Sequence, residues 1–117
     1  MLFRSYGADD PNTEVYGQIA AALSAMTDAD GRRLQVVRIP SPGRVRDRDA
    51  RTTPASHMNF LIANRAVIVP IYRDRPGALA VEALEMLFPD RQVIGLPSTA
   101  LLTGGGSFHC ISQQEPA

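Results

Sequence analysis

The sequence has one cysteine, no excess of either charge and no long apolar run, and each absence excludes a class of protein. A single cysteine, Cys110, excludes an internal disulfide framework and leaves a free thiol, which favours a reducing compartment such as the cytoplasm. Twelve basic and twelve acidic residues cancel, so no global field attracts nucleic acid. No apolar run approaches the ~18 residues of a membrane span. We therefore expect a cytoplasmic protein with neither a nucleic-acid nor a membrane partner.

Length and composition favour a small folded unit. With 117 residues, 44% of them hydrophobic and 21% charged, the chain has a globular mix and the length of one domain or less. We treat residues 1–117 as a single segment with one modest core.

The first half predicts a helix followed by a strand. Apolar residues at helical spacing indicate a helix from about Asn12 to Thr27, with Asp10-Pro11 as its capping pair and Gly31 as its end. A buried strand is predicted over 34–39, where β-branched residues precede Pro40.

The second half predicts a hairpin, a helix and further strands. Two β-prone runs, Met58–Ile62 and Ala66–Ile71, meet at Asn64-Arg65, which indicates a tight turn; a type I′ turn would require a positive φ at Arg65. Pro76 opens a second helix that Pro89 stops, and a strand follows over 91–96. Ser98 is a predicted cap for a short helical turn, which leads to a glycine loop and a short final strand. Helices alternating with buried strands indicate an α/β layer structure, and each helix-to-strand unit repeats the other.

Residues 41–55 form a long polar loop by the same criteria. The segment carries four arginines, two aspartates and no apolar periodicity. It could be an electrostatic patch over a site entrance or an exposed connector, and we favour the connector because its aspartates offset half of its charge.

The glycine triplet Gly104-Gly105-Gly106 lies just before His109-Cys110. Glycines let the backbone approach a ligand closely, although such a triplet can also be a plain flexible turn. Cys110 likewise has two interpretations: most free cysteines are buried small apolar residues, whereas a thiolate beside a glycine loop is a nucleophile.

The stretch 104–116 resembles the C-terminal signature of agmatine deiminases and the related bacterial peptidylarginine deiminases. Four further segments, 27–32, 54–60, 62–64 and 87–91, resemble the same family in the same order. The resemblance implies the pentein fold, a pseudo-fivefold ring of ββαβ-type units, of which this α/β chain would supply about two. Family enzymes are roughly three times as long.

The resemblance also implies a reaction. Cys110 would attack the guanidinium carbon of agmatine or peptidyl-arginine, and water would resolve the thiouronium intermediate to a ureido product plus ammonia. With agmatine the product is N-carbamoylputrescine, on a route to putrescine. Gly104, Gly105, Gly106 and Asn59 are the predicted substrate-binding residues; Asn59 could equally pin its strand. We predict no metal and no cofactor.

Departures from the family pattern limit the expected activity. No His-X-Asp sequence, the family's acid–base element, is present, so we expect the chain to be inactive alone. His57 replaces a more usual tyrosine and is predicted to lie at the surface, in preference to a recruited acid–base role, while Ser107 replaces a frequent asparagine. His109 is not expected to meet Cys110, because neighbours in a strand point to opposite faces. The alternative function is a non-catalytic pentein-like module that binds a ligand or forms a homo-oligomer to cover its open strand edges.

Overall fold

The computed structural model describes residues 2–4, by their backbone, and residues 10–116. Within these residues, two α-helices, seven strands and one 3₁₀ helix follow one another. Their bounds are β1 Leu2–Arg4, α1 Thr13–Ala25, β2 Arg38–Pro40, β3 Val45–Arg46, β4 Thr52–Thr53, β5 Leu61–Ile62, β6 Ala66–Ile71, α2 Asp74–Glu85, β7 Gln92–Pro97 and the 3₁₀ helix Thr99–Gly104.

Two strand–helix–strand units organise the chain. In the first, β1 and β2 pair in parallel and α1 connects them; in the second, β6 and β7 pair in parallel and α2 connects them. The short β5 adds to β6 antiparallel, and α2 packs on β2 as well as on its own sheet. The buried core lies between α2 and these strands and consists of Ile39, Val67, Val69, Ala80, Leu84 and Val93. The predicted α/β architecture with two related units is confirmed.

The first helix is shorter than predicted. It ends at Ala25, and Gly31, at φ 77°, instead closes a separate turn in which its N–H bonds the carbonyl of Asp28. Asp10 is not the cap residue; its carboxylate accepts the N–H of Asn12 at 3.0 Å, in the turn before the helix. The predicted strand over 34–39 is also wrong in extent: β2 covers Arg38–Pro40, the residues that pair with β1.

The 41–55 segment contains a small antiparallel hairpin. Strands β3 and β4 pair Val45 with Thr53 and Arg46 with Thr52, and Ala50 adopts a positive φ in the turn between them. Ser41, Pro42 and Val45 are buried, whereas most of the arginines are exposed. One face of this polar segment is therefore packed against the protein.

The predicted hairpin at Asn64-Arg65 is confirmed. Strands β5 and β6 pair Ile62 with Val67, and the N–H of Ala63 donates to the carbonyl of Ala66 at 2.8 Å. Neither central residue has a positive φ, so the turn is not type I′ and Arg65 avoids the strain that such a turn would impose.

The second helix occupies its predicted place, with shifted ends. It begins at Asp74, so Pro76 lies within the first turn, where a backbone N–H has no helical partner. It ends at Glu85, before Pro89, and the following β7 is shifted by one residue, from the predicted 91–96 to 92–97. The predicted final strand is absent from the described residues: 108–111 form a turn.

Candidate active site

Cys110 lies at the surface in the turn that replaces the predicted final strand. The 3₁₀ helix ends at Gly104, Gly105 reverses the chain at φ 82°, and the N–H of Ile111 then donates to the carbonyl of Ser107 at 3.2 Å. This turn projects the side chain of Cys110 outward, and the thiol is exposed. The interpretation of Cys110 as a buried apolar residue is therefore wrong.

Asn59 holds Cys110 at both ends of its amide. Its Nδ2 donates to Cys110 Sγ at 2.9 Å, and its Oδ1 accepts the N–H of Cys110 at 3.2 Å. The backbone carbonyl of Asn59 also accepts the N–H of His109 at 3.2 Å. Asn59 itself is placed by a turn ahead of β5, in which its N–H bonds the carbonyl of Ser56.

These contacts favour the thiolate. The hydrogen bond from Asn59 lowers the pKa of the Cys110 thiol, a backbone hydrogen bond from Ser107 lowers the pKa further, and slight desolvation opposes both. An N–H donor stabilises the anion more than the neutral thiol, which is the physical cause of the direction. A thiolate is the reactive form of cysteine.

The three glycines have different surroundings. Gly104 faces open space, Gly105 has the left-handed conformation that glycine tolerates best, and Gly106 lies against the side chain of Cys110. Gly105 and Gly106, together with Asn59, line an open cleft of about 260 Å³. Its other walls come from α1, the segment before β5 and the end of β6: Asn12, Tyr16, Pro54, Ala55, Ser56, Tyr72 and Leu102. Gly104 lies outside the cleft.

A buried serine pair fixes the base of the glycine loop, and sequence reasoning missed it. Ser98 Oγ and Ser107 Oγ hydrogen-bond to each other, and both residues are about 1% exposed. Ser98 precedes the 3₁₀ helix as predicted but makes no capping hydrogen bond with its side chain. The sequence places Ser98 and Ser107 on either side of the predicted helical turn and glycine loop, and this placement could have indicated the pair.

The predicted surface position of His57 is wrong. Its side chain is fully buried, Nδ1 lies 2.7 Å from the carbonyl oxygen of Pro70, and Nε2 has no hydrogen-bond partner within the described residues. Desolvation lowers the pKa of His57, and the contact with Pro70 partly opposes this. The site at Cys110 therefore has no acid–base partner in His57.

His109 and Cys110 have different neighbours, although not for the predicted reason. They lie in a turn, and His109 borders a second cleft with Met58 and Phe60, whereas Cys110 contacts Asn59. Across residues 10–116, no three His, Cys, Asp or Glu side chains are grouped closely enough to hold a metal ion. The helices of the described chain include none that is long and apolar enough to cross a membrane.

The sequence matches the model of one protein family over nearly its whole length. The model describes the Porphyromonas-type peptidyl-arginine deiminase and matches residues 1–116. The chain belongs to this family. The resemblance inferred from the motifs around Cys110 is thus confirmed.

Individual relatives agree with the family. The "Putative agmatine deiminase" of Lactococcus lactis is 39% identical over 80% of this chain and 30% of its own length. Its namesake from Enterococcus faecalis is 37% identical over 92% of this chain and 35% of its own length. The chain therefore spans about a third of the length of the curated relatives that it matches.

Solved structures of the family share the fold. The solved structure of the agmatine deiminase of Enterococcus faecalis superposes with a TM-score of 0.86 at 34% identity, over 97% of this chain and 36% of that one. The crystal structure of the "Putative Arginine Deiminase" from Porphyromonas gingivalis gives a TM-score of 0.87 at 34% identity, over 97% of this chain and 33% of that one. The predicted partial pentein fold is confirmed.

Proposed function

We propose that this chain supplies the cysteine nucleophile and part of the substrate cleft of a guanidine deiminase. The observation that carries the proposal is the exposed Cys110 sulfur, which lies 2.9 Å from the amide nitrogen of Asn59, a residue that lines the cleft. A delocalised guanidinium carbon is a poor electrophile, and a thiolate is the side-chain nucleophile suited to it.

The reaction proceeds in two steps. The Cys110 thiolate forms a C–S bond with the guanidinium carbon, and a C–N bond of the resulting adduct breaks as ammonia leaves with an added proton. Water then attacks the thiouronium carbon and the C–S bond breaks, which releases the ureido product, the Cys110 thiolate and two protons, one of which replaces the proton that left with ammonia.

Proton transfer needs groups beyond those that contact Cys110. The hydrogen bonds to Cys110 come from an amide side chain and from the backbone, neither of which delivers a proton to ammonia near neutral pH. Positioned acids and bases commonly contribute 10²–10⁴-fold. We therefore propose that these residues alone do not turn over, and that other parts of a complete deiminase supply acid–base and guanidinium-binding groups.

The substrate class follows from the relatives. Agmatine deiminases act on the guanidinium of agmatine. With agmatine as the substrate, the product here is N-carbamoylputrescine, on a route to putrescine. The family description supports peptidyl-arginine as a second substrate. An exposed free thiol fits the reducing cytoplasm.

Covalent labelling tests the proposal without requiring turnover. We expect chloroacetamidine, which carries a planar amidinium, to alkylate Cys110 faster than neutral chloroacetamide does, and agmatine to slow the alkylation by covering the sulfur. Intact mass and peptide mapping report the adduct, and Cys110→Ser, which removes the sole thiol, is the control. Equal rates for the two reagents and no protection by agmatine contradict a guanidine site at Cys110.

A parallel assay for ureido product from agmatine and peptidyl-arginine, repeated with Cys110→Ala, tests the proposed inactivity.

Self-association is the second candidate function, as an oligomerising pentein-like module. Val15, Ile19 and Met26 form an exposed apolar stripe along and just after α1, with 49%, 41% and 50% of their surfaces accessible. Contiguous exposed apolar residues favour association. Size-exclusion chromatography with light scattering should show a homo-oligomer that Ile19→Glu dissociates; a monomer at every concentration contradicts this candidate.

A further inference from the structure

Gly106 is in closer contact with Cys110 than any side chain would permit. A Cβ atom built on Gly106 lies 2.6 Å from Cys110 Cβ and 2.9 Å from Cys110 Sγ. Two carbon atoms that are not bonded pack at about 3.5–4.0 Å, so a methyl group at this position overlaps the cysteine side chain. The same construction at Gly104 meets nothing within 4 Å.

We propose that Gly106 is a positioning residue for the nucleophile: its missing side chain lets Cys110 pack on the backbone while Sγ stays within reach of the Asn59 amide. The inference rests on the proposed function, in which that sulfur attacks the substrate. Gly106 was predicted to bind substrate through its exposed backbone. The geometry assigns it a different role, which is to leave room for the side chain of Cys110.

The overlap cannot be relieved by a side-chain rotation alone. The closest contact joins two Cβ atoms, and a Cβ is fixed to its backbone. The backbone of the turn is held by the hydrogen bonds from His109 to Asn59 and from Ile111 to Ser107, both 3.2 Å. A methyl group at 106 must therefore displace the Cys110 segment, which lengthens the 2.9 Å contact between Asn59 Nδ2 and Sγ. The expected consequence is a thiol with less anionic character.

The rate of alkylation by iodoacetamide as a function of pH measures that consequence directly. Gly106→Ala should move the profile to higher pH and slow alkylation at pH 7 by roughly tenfold, since rate follows the thiolate fraction. Gly104→Ala, two residues earlier in the chain and facing open space, should keep the parent profile. A Gly106→Ala protein with the parent profile overturns the inference, because a merely structural role would change the melting temperature and leave the thiol titration unmoved.

A pair of double variants keeps the test decisive if Gly106→Ala does not fold. Cys110→Gly removes the Cβ with which the new methyl group collides, whereas Cys110→Ala retains it. Gly106→Ala should therefore lower the melting temperature clearly less in the Cys110→Gly background than in the Cys110→Ala background. Equal losses in both backgrounds overturn the inference.

The two proposals fail separately. Iodoacetamide requires no guanidine-binding cleft, so the glycine comparison stands even if chloroacetamidine shows no preference for Cys110. Conversely, a parent protein with the amidine preference and a Gly106→Ala variant with the parent pH profile would retain the guanidine site and remove the role of Gly106.

Discussion

Asn59 illustrates what a single residue can reveal only in three dimensions. Its polar side chain inside an apolar run indicated either a strand anchor or a substrate contact. The structure shows that the amide bridges to Cys110, 51 residues later, through both its nitrogen and its oxygen. No pattern of spacing encodes such a pairing, because it depends on how two loops meet. Asn59 therefore acts on the sulfur as well as lining the cleft.

Replacing the amide nitrogen of Asn59 should destabilise the thiolate form of Cys110 and raise the pKa of the thiol. Asn59→Asp keeps an oxygen that can accept the Cys110 N–H but replaces the donor to Sγ with a second, negatively charged oxygen, so the pKa of the thiol rises. Asn59→Ala should also raise the pKa of the thiol, because the donor to Sγ is lost, but it adds no negative charge. We expect alkylation at pH 7 to slow by roughly tenfold, as rate follows the thiolate fraction, and ultraviolet thiolate absorbance to appear at higher pH.

Asn64→Asp is the matched control for charge. Asn64 lies in the β5–β6 hairpin, where the same substitution adds the same charge away from the sulfur. It should leave the titration of Cys110 unchanged. A thiol pKa that moves equally in the Asn59→Asp and Asn64→Asp proteins would show that the amide of Asn59 has no specific effect on Cys110.

At the scale of elements, local sequence patterns predicted where the helices and the hairpin lie. The same patterns did not predict where the strands begin and end. Pro76 and Pro89 bracket α2, and Asn64-Arg65 marks the turn, because these residues restrict their own backbone. Strands exist only where a partner strand lies alongside: among the described residues no strand pairs with the β-branched Val36 and Val37, and Leu34 is 39% exposed. The turn at 108–111 follows from contacts with Asn59 and Ser107, which lie outside that segment.

The serine pair connects the start of the 3₁₀ helix to the glycine loop, and its loss should be measurable. Ser107→Ala leaves Ser98 Oγ buried without its partner, which costs about 1–3 kcal/mol of unfolding free energy. The double variant Ser98→Ala/Ser107→Ala should cost less than the sum of the single variants, since neither hydroxyl is then left unpaired. Urea denaturation measures all three proteins.

Ser24→Ala provides the comparison for the serine pair. Ser24 is exposed, and its hydroxyl donates to the carbonyl of Ala20 within the same helix, so the loss of this hydroxyl should change the unfolding free energy by less than about 0.5 kcal/mol. Strict additivity of the two buried substitutions would mean that the Ser98–Ser107 hydrogen bond contributes no coupling.

At the scale of the whole molecule, family membership and architecture were predictable from motifs, whereas the burial of individual side chains was not. The run around Cys110 and the alternation of helices and strands sufficed for a partial pentein. His57 was placed at the surface because it precedes a strand after a polar loop. It is buried because its ring reaches the carbonyl of Pro70 at the far end of β6.

That burial makes the stability of the molecule depend on pH. The folded-state pKa of His57 lies below its ordinary value of 6.5, so below about pH 6.5 the unfolded chain takes up a proton that the folded chain does not. The contribution of neutral His57 is therefore complete above that pH and declines as the pH falls toward the folded-state pKa. The free energy of unfolding should fall with a slope of at most about 1.4 kcal/mol per pH unit from this group.

Urea denaturation at pH 7.5, 6.5 and 5.5 tests this dependence. His57→Phe fills a similar space with a ring that cannot ionise, and it should flatten the decline between pH 6.5 and 5.5 even if the loss of the Pro70 contact lowers stability at every pH. His109→Gln removes the other histidine, which is exposed, and should retain the parent slope. If His57→Phe and the parent decline in parallel, the acid sensitivity of the fold originates in groups other than this buried imidazole.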